Sequence, residues 1–199
     1  MDSLRRLLGF GSSAQGPRGG RCDIVAVRRS ATAVGLAGLM VLAGCSPTFD
    51  WREARPADGL TLLFPCRPGE ATRVVQIAGA RETMSLWSCN AGELTFAVSR
   101  VDASEPARVG PLMAALREAL VANVSASAPQ VVAAAVPGAT EHPLAQRLVL
   151  RGQRADGTPL EVQGQFFSHG LRVFQATVVG SRLDPQVLDL FFSSLKFGP

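Results

Sequence analysis

The sequence predicts an α+β domain: a largely antiparallel β-sheet with two main helices packed on it. Three observations predict it. Several segments alternate apolar and polar residues with period two, the pattern of half-buried strands. Short glycine-bearing turns join most of these segments, so the strands follow one another as hairpins. Two other segments, one mid-chain and one near the end, carry apolar residues at helical spacing. The order is four strands, a helix, three or four strands and a second helix.

The first strand covers residues 59–64, where Leu60, Leu62, Leu63 and Phe64 run up to Pro65. The second covers 71–78, with Val74, Val75 and Ile77. A turn over 79–82 leads into a third at 83–89, and Ala91-Gly92 turns into a fourth at 93–101. In that strand Leu94, Phe96 and Val98 alternate with Thr95, Ala97 and Ser99, giving one face more buried than the other. Pro111 suits a first helical turn. Leu112, Leu116 and Leu120, extended by Met113 and Val124, form a stripe that faces the core, with Arg117, Glu118 and Asn123 off it. The run Ser125-Ala-Ser-Ala-Pro129 ends this helix. Residues 130–136 read as a strand, broken by Pro137-Gly138. Strands follow at 145–154, 160–168 and 171–179, turning at Ala155-Asp156-Gly157-Thr158 and at His169-Gly170. The last element, 184–195, is a capped helix. Asp184 is its cap, Pro185 its first residue, and Val187, Leu188, Phe191, Phe192 and Leu195 its apolar side.

Composition narrows the function. With 47% hydrophobic and 18% charged residues the chain is not a disordered one. The formal charge of +4 invites a nucleic-acid reading, but its distribution removes it. Residues 1–44 hold Arg5, Arg6, Arg18, Arg21, Arg28 and Arg29 against Asp2 and Asp23, which accounts for the whole excess. The remainder is neutral and lacks the footprint that phosphate binding needs, so no nucleic-acid partner is expected. That remainder is long enough for one domain, burying roughly 70% of its unfolded surface.

The segment before Cys45 is organised differently. Arg28-Arg29 precede an apolar stretch from Ala31 to Gly44, a positive n-region followed by an h-region. As a helix this stretch would reach about 21 Å, short of a ~30 Å membrane core. It ends in Leu42-Ala43-Gly44-Cys45, which resembles the bacterial lipobox. The resemblance implies lipidation on the Cys45 sulfur, cleavage before Cys45 and acylation of the new amino terminus. An uncleaved membrane anchor is the alternative. Ser46, by the same resemblance, permits export to the outer membrane rather than retention at the inner one. The arginine pair also resembles a twin-arginine signal faintly, though n-region charge accounts for it. Residues 25–44 are thus read as a signal peptide. Residues 1–24, rich in Gly, Ser, Pro and Gln from Gly9 to Gly20, fit neither signal nor domain. A long cytosolic n-region or a mis-assigned start, with Val25 or Val27 as alternatives, would explain them. Residues 45–58 are read as a lipidated tether, spanning up to ~48 Å, with Phe49 and Trp51 docked on the domain or, alternatively, set in lipid headgroups. The domain itself is 59–197.

Of the four cysteines, Cys22 lies in the segment without a role and Cys45 is spent on lipid, leaving Cys66 and Cys89. An even pair in an oxidising compartment reads as a disulfide closing a loop worth roughly 3.4 kcal/mol. Both end apolar runs, so the pair meets if those strand ends are neighbours. Two free thiols or a redox pair are the rivals, but no C-x-x-C spacing is present. Cys66, Cys89, His142 and His169 lack paired ligand spacing, so no metal is expected.

The Leu-Phe-Pro strand, the mid-chain helix, the long meander and the terminal Phe-Phe-Ser-Ser-Leu-Lys-Phe segment together resemble the PsbP-like α/β/α sandwich domains. Phe49-Asp50-Trp51-Arg52-Glu53 with the same strand also resembles uncharacterised envelope lipoproteins of Burkholderia-like proteobacteria. The resemblance covers roughly residues 45–197 and brings no catalytic residues.

Signatures of catalysis are poor. The chain has two histidines, one lysine and no tyrosine. His169 reads as a turn residue and His142 as a loop residue before Pro143. There is no nucleophile elbow, phosphate loop or metalloprotease helix. Glu93, Asp102 and Glu161 are candidate carboxylates that strand periodicity puts on solvated faces. Arg147, Arg151, Arg154 and Arg172 are expected to share an exposed face, balanced by Glu161 or, alternatively, binding an anion. The expectation is therefore a non-catalytic envelope lipoprotein without cofactor, anchored in the membrane by lipid and engaging an envelope protein partner. The alternative is a periplasmic carrier of a small apolar or anionic ligand. A cavity lined by Phe166, Phe174 and Leu116 would favour the carrier, and a filled core with an exposed apolar patch would favour the partner binder.

Overall fold

The computed structural model describes residues 48–57, 59–124 and 128–198. The signal residues Arg28, Arg29, Leu42, Ala43 and Gly44, and the lipidation residue Cys45, lie outside the described residues, as do residues 1–24. Within them the protein is α+β, mostly antiparallel sheet with two helices, as its turn pattern predicts. A seven-stranded sheet forms the middle layer. Its strands are β3 (Gly69–Ile77), β4 (Ala80–Ala91), β5 (Leu94–Asp102), β6 (Gln130–Ala133), β7 (Gln146–Gln153), β8 (Pro159–His169) and β9 (Arg172–Gly180). Their spatial order is β3-β4-β5-β9-β8-β7-β6, and every neighbouring pair is antiparallel. Two meanders, each local in sequence, are thus stitched together by the one long-range pairing of β5 with β9.

Turn chemistry sets the register. Ile77 pairs with Ala80, so only Ala78 and Gly79 turn, both at positive φ (49° and 76°). That places the turn one residue earlier than the sequence suggests and lengthens β4 at its start. The mirror-image two-residue turn matches the twist of the strands, which explains why the chain tolerates a left-handed alanine there.

One face of the sheet is covered by α1 (Pro106–Val124), which buries Val109, Leu112, Met113, Leu116, Leu120 and Val124 against β7, β8 and β9. The predicted stripe is its buried side, but the helix starts five residues before Pro111, which therefore lies inside it. Gly110 precedes that proline, and having no Cβ it removes part of the clash that normally ends a helix there. The helix seats closely because β7 and β8 offer glycines beneath it. A Cβ on Gly152 would stand 2.3 Å from the Val124 carbonyl oxygen, and one on Gly164 2.4 Å from Leu120 Cδ2. We expect Gly152→Ala to destabilise the domain by about 3 kcal/mol, since helix backbone must move. Gly69→Ala, whose new methyl would meet nothing nearer than 3.9 Å, should be close to neutral. Urea denaturation of both variants checks the pair, and equal midpoints would mean that α1 is not seated over β7.

The other face carries a second layer: α2 (Pro185–Ser193) and a small sheet of β1 (Arg52–Ala57), β2 (Leu60–Phe64) and β10 (Lys196–Phe197), ordered β1-β2-β10. The terminal helix is capped as its sequence predicts, Asp184 accepting from the Gln186 backbone N–H at 2.8 Å with Pro185 beside it. It stops earlier than expected. Ser194 accepts from the Leu63 N–H at 2.9 Å and donates to the Phe191 carbonyl at 2.7 Å, and the chain then turns to pair Lys196 with Thr61. The strand expected over 130–136 also ends early, at Ala133, because Val136 leaves the sheet edge and buries in the core on the α2 side.

The largest departure concerns the expected tether. Arg52–Ala57 is not free linker but β1, pairing Arg52 with Phe64 and Ala54 with Leu62. Its side chains are mostly polar and exposed, so backbone pairing and the burial of Pro56 and Ala57 hold it. Phe49 and Trp51 dock on the core: Trp51 meets Phe96 edge-on at 6.2 Å between ring centres, and stacks with Phe49 at 6.1 Å.

Candidate functional site

Cys66 follows β2 and Cys89 lies in β4, so two strands of different sheets bring them together. They are joined as a disulfide with Cα atoms 6.1 Å apart. Both pack against the cluster that contains Phe64, Trp87 and Phe96, so the bridge ties the small sheet to the large one.

The titratable candidates do not converge. His142 Nδ1 accepts from the Leu144 backbone N–H at 3.1 Å, and a Cβ on Gly110 would lie 3.4 Å from its Nε2. His169 closes β8, with Nδ1 2.9 Å from the Gly138 carbonyl and its ring stacked on Phe197 at 4.3 Å. Glu93 precedes β5 and Asp102 ends it, so extended backbone holds them about 30 Å apart. Asp102 pairs with Arg100 at 2.9 Å, and Glu161 accepts from the Leu183 N–H at 3.0 Å while lying 3.5 Å from Arg151. Among the described residues, no three His, Cys, Asp or Glu side chains come together, and no helix is long and apolar enough to cross a membrane.

The four arginines do not form one exposed face. Arg154 lies in the β7–β8 turn, bonded to Thr158 and the Pro159 carbonyl, while Arg172 sits opposite Asp102 on β9. Arg147 is half-buried. Its guanidinium lies 4.1 Å from the centre of the Phe192 ring and donates twice to Gln165 Oε1, at 3.2 and 2.9 Å. Burial lowers its pKa, opposed by the charge of Asp189. A guanidinium remains protonated across the working pH range, so its contribution here is packing and a fixed positive charge. With Arg151, Glu161 and Asp189 it lines a cleft of about 300 Å³ between α2 and β7–β8, whose walls include Val149 and Leu188. Two cations face two carboxylates, which makes the cleft electrostatically balanced rather than an anion receptor.

A second groove, about 320 Å³, opens between α1 and the β3–β4–β5 side of the large sheet. Leu116 lines it, whereas Phe166 and Phe174 are wholly buried. Large exposed apolar side chains are spread over both sheet edges, the β8–β9 turn and α2: Val74, Val131, Val132, Leu171 and Leu190. The groove was not legible in the sequence, because its walls come from four strands and a helix. Its one local signal is the run of alanines at 115, 119 and 122.

Comparison with protein-family models and with curated proteins finds no match for this chain. Its function therefore rests on the residues and their geometry.

Proposed function

We propose that this protein is a lipid-anchored lipoprotein of the cell envelope, of the proteobacterial, Burkholderia-like kind, whose PsbP-like domain faces the periplasm as a non-catalytic accessory or protein-interaction module. The observation that carries this reading is the Cys66–Cys89 disulfide, a bond that persists in oxidising compartments and is rare in the cytosol. It stands in a chain that also offers a lipobox-like Leu42-Ala43-Gly44-Cys45. Support for the sandwich comes from the layering, with α1 on one face of the sheet and α2 on the other. Support for a non-catalytic role comes from the histidines and the candidate carboxylates Asp102 and Glu161, each already engaged in a separate structural contact. Ser46 favours the outer membrane over the inner.

The anchor would be short. Thr48 packs against the β4–β5 turn, where a Cβ on Gly92 would come within 3.0 Å of its methyl group. Three residue steps separate it from Cys45, spanning about 10 Å at most. An acylated Cys45 thus holds the β4–β5 turn close to the membrane, instead of letting the domain range over tens of ångströms.

Metabolic labelling with radioactive palmitate tests the anchor. Wild type should incorporate label, and Cys45→Ser should lose it and accumulate as a larger, uncleaved precursor. Undiminished labelling of Cys45→Ser would refute the proposal. Crosslinking in native membranes, followed by pull-down of the lipidated protein, identifies the partner.

A further inference from the structure

We propose that the groove between α1 and the large sheet is a binding site for a small, neutral, aliphatic molecule carrying one hydrogen-bonding group, such as a primary amide or an alcohol. This goes beyond the envelope assignment and does not depend on it.

The groove arises from an asymmetry in how α1 is seated. Gly152 and Gly164 let the helix press onto β7 and β8 on one side. On the other side the helix presents Ala115, Ala119 and Ala122, side chains too short to reach β4 and β5. The Ala78 end is held by Arg108, which donates to the Ala78 carbonyl at 3.1 Å and pairs with Glu82 at 3.0 Å. Val75 and Ile77 of β3 form the far wall. The gap is therefore framed by fixed elements, and its volume falls at the small end of ligand pockets.

Its floor is mixed. Cross-strand pairing sets Leu86 opposite Ser99 and Ser99 opposite Gln175, so these three share one face, beneath the groove they line. Ser99 is 6% exposed and Gln175 8%. Gln175 Nε2 donates to Thr177 Oγ1 at 2.9 Å, leaving its carbonyl oxygen free to accept. The Ser99 hydroxyl is not among the buried groups left without a partner in the described residues; it borders the groove. It is therefore open to a molecule lying there and can exchange water for a ligand's polar group. Ser99 and Gln175 together offer one donor and acceptors at a single spot, with Met84, Leu86 and the alanines around it to cover an aliphatic chain. Charge decides between the ligand classes: the sole charged side chain on the lining is Glu118, which disfavours a carboxylate or phosphate.

Photolabelling of the full chain as it is expressed, acylated or not, tests this. The probe is octanamide bearing a terminal alkyl diazirine, with the corresponding alkyl diazirine lacking the amide as control. Adducts mapped by mass spectrometry should fall on the 115–122 stretch of α1 and the facing residues of β4 and β5. Unlabelled octanamide or 1-octanol should compete at least tenfold better than octanoate. Ser99→Ala should lower amide labelling about tenfold and change labelling by the control probe less than twofold. Ala119→Phe, which fills the gap, should abolish labelling by both. If that variant fails to fold, as judged by circular dichroism, Ser99→Ala alone decides. Adducts scattered over other segments, equal competition by octanoate, or amide labelling unchanged in Ser99→Ala would each overturn the proposal. None of these outcomes depends on whether Cys45 is acylated.

Discussion

Phe191→Ala is expected to destabilise the domain by about 4 kcal/mol, a large part of the 5–15 kcal/mol that holds a typical domain together. Phe191 is fully buried and stands where three elements meet. Its ring packs edge-on against Phe64 of β2 at 5.8 Å, Phe96 of β5 at 5.2 Å and Phe192 of its own helix at 5.2 Å between centres. Phe96 in turn carries Phe49 and Trp51. Truncation would therefore open a cavity between two sheets and a helix, none of which can close it without abandoning strand pairing. Leu190→Ala, one residue away on the same helix but 40% exposed, should change stability by less than about 0.5 kcal/mol. Urea denaturation of the two variants reads the contrast directly. A cost below about 1.5 kcal/mol for Phe191→Ala would mean that α2 is not clamped between the sheets.

Replacing Cys66 and Cys89 together by serine is expected to lower stability by roughly 3.4 kcal/mol through the regained freedom of the unfolded chain. The estimate follows from the sequence separation of 23, which closes a loop of intermediate length. Its structural effect should be local: the bridge ties the residues after β2 to β4, so the small sheet loses a covalent link while α1 and its face of the large sheet are untouched. Equilibrium denaturation of the double variant, and of wild type before and after reduction, should give matching losses. Alkylation of the unreduced, denatured protein should add no label to these two residues. Label on both, or a stability unchanged by reduction, would remove the bond from the account.

Features carried by short stretches of chain were legible beforehand. The Asp184 cap, the Leu112–Leu116–Leu120 stripe and the alternation of Leu94, Phe96 and Val98 depend on neighbours a few residues away, so the chain itself displays them. The disulfide was legible because parity left two cysteines at the ends of apolar runs. β1 was not, since Arg52, Glu53 and Arg55 carry the composition of a linker; its pairing uses backbone groups, which all residues share. Nor was β10, whose two residues form a strand only because β2 offers an open edge. Pro111 does not mark the start of α1, because Gly110 before it makes a proline tolerable inside the helix despite the first-turn preference of that residue.

The sequence by itself determined the class of fold, the order of most elements, their turns and the cysteine pair, because periodicity, capping and turn conformation are local energies. Tertiary structure alone decided that β5 pairs with β9, that the supposed tether folds back as β1, that Arg147 lies on Phe192, and that the alanines of α1 face Ser99 and Gln175 across an open groove. β1 is a local hairpin with β2, Ala57 pairing with Leu60 and Arg52 with Phe64, hidden by its polar composition; the others join residues far apart in the chain. Their energies come from surface that exists only after the layers have closed, so no short window of sequence contains them.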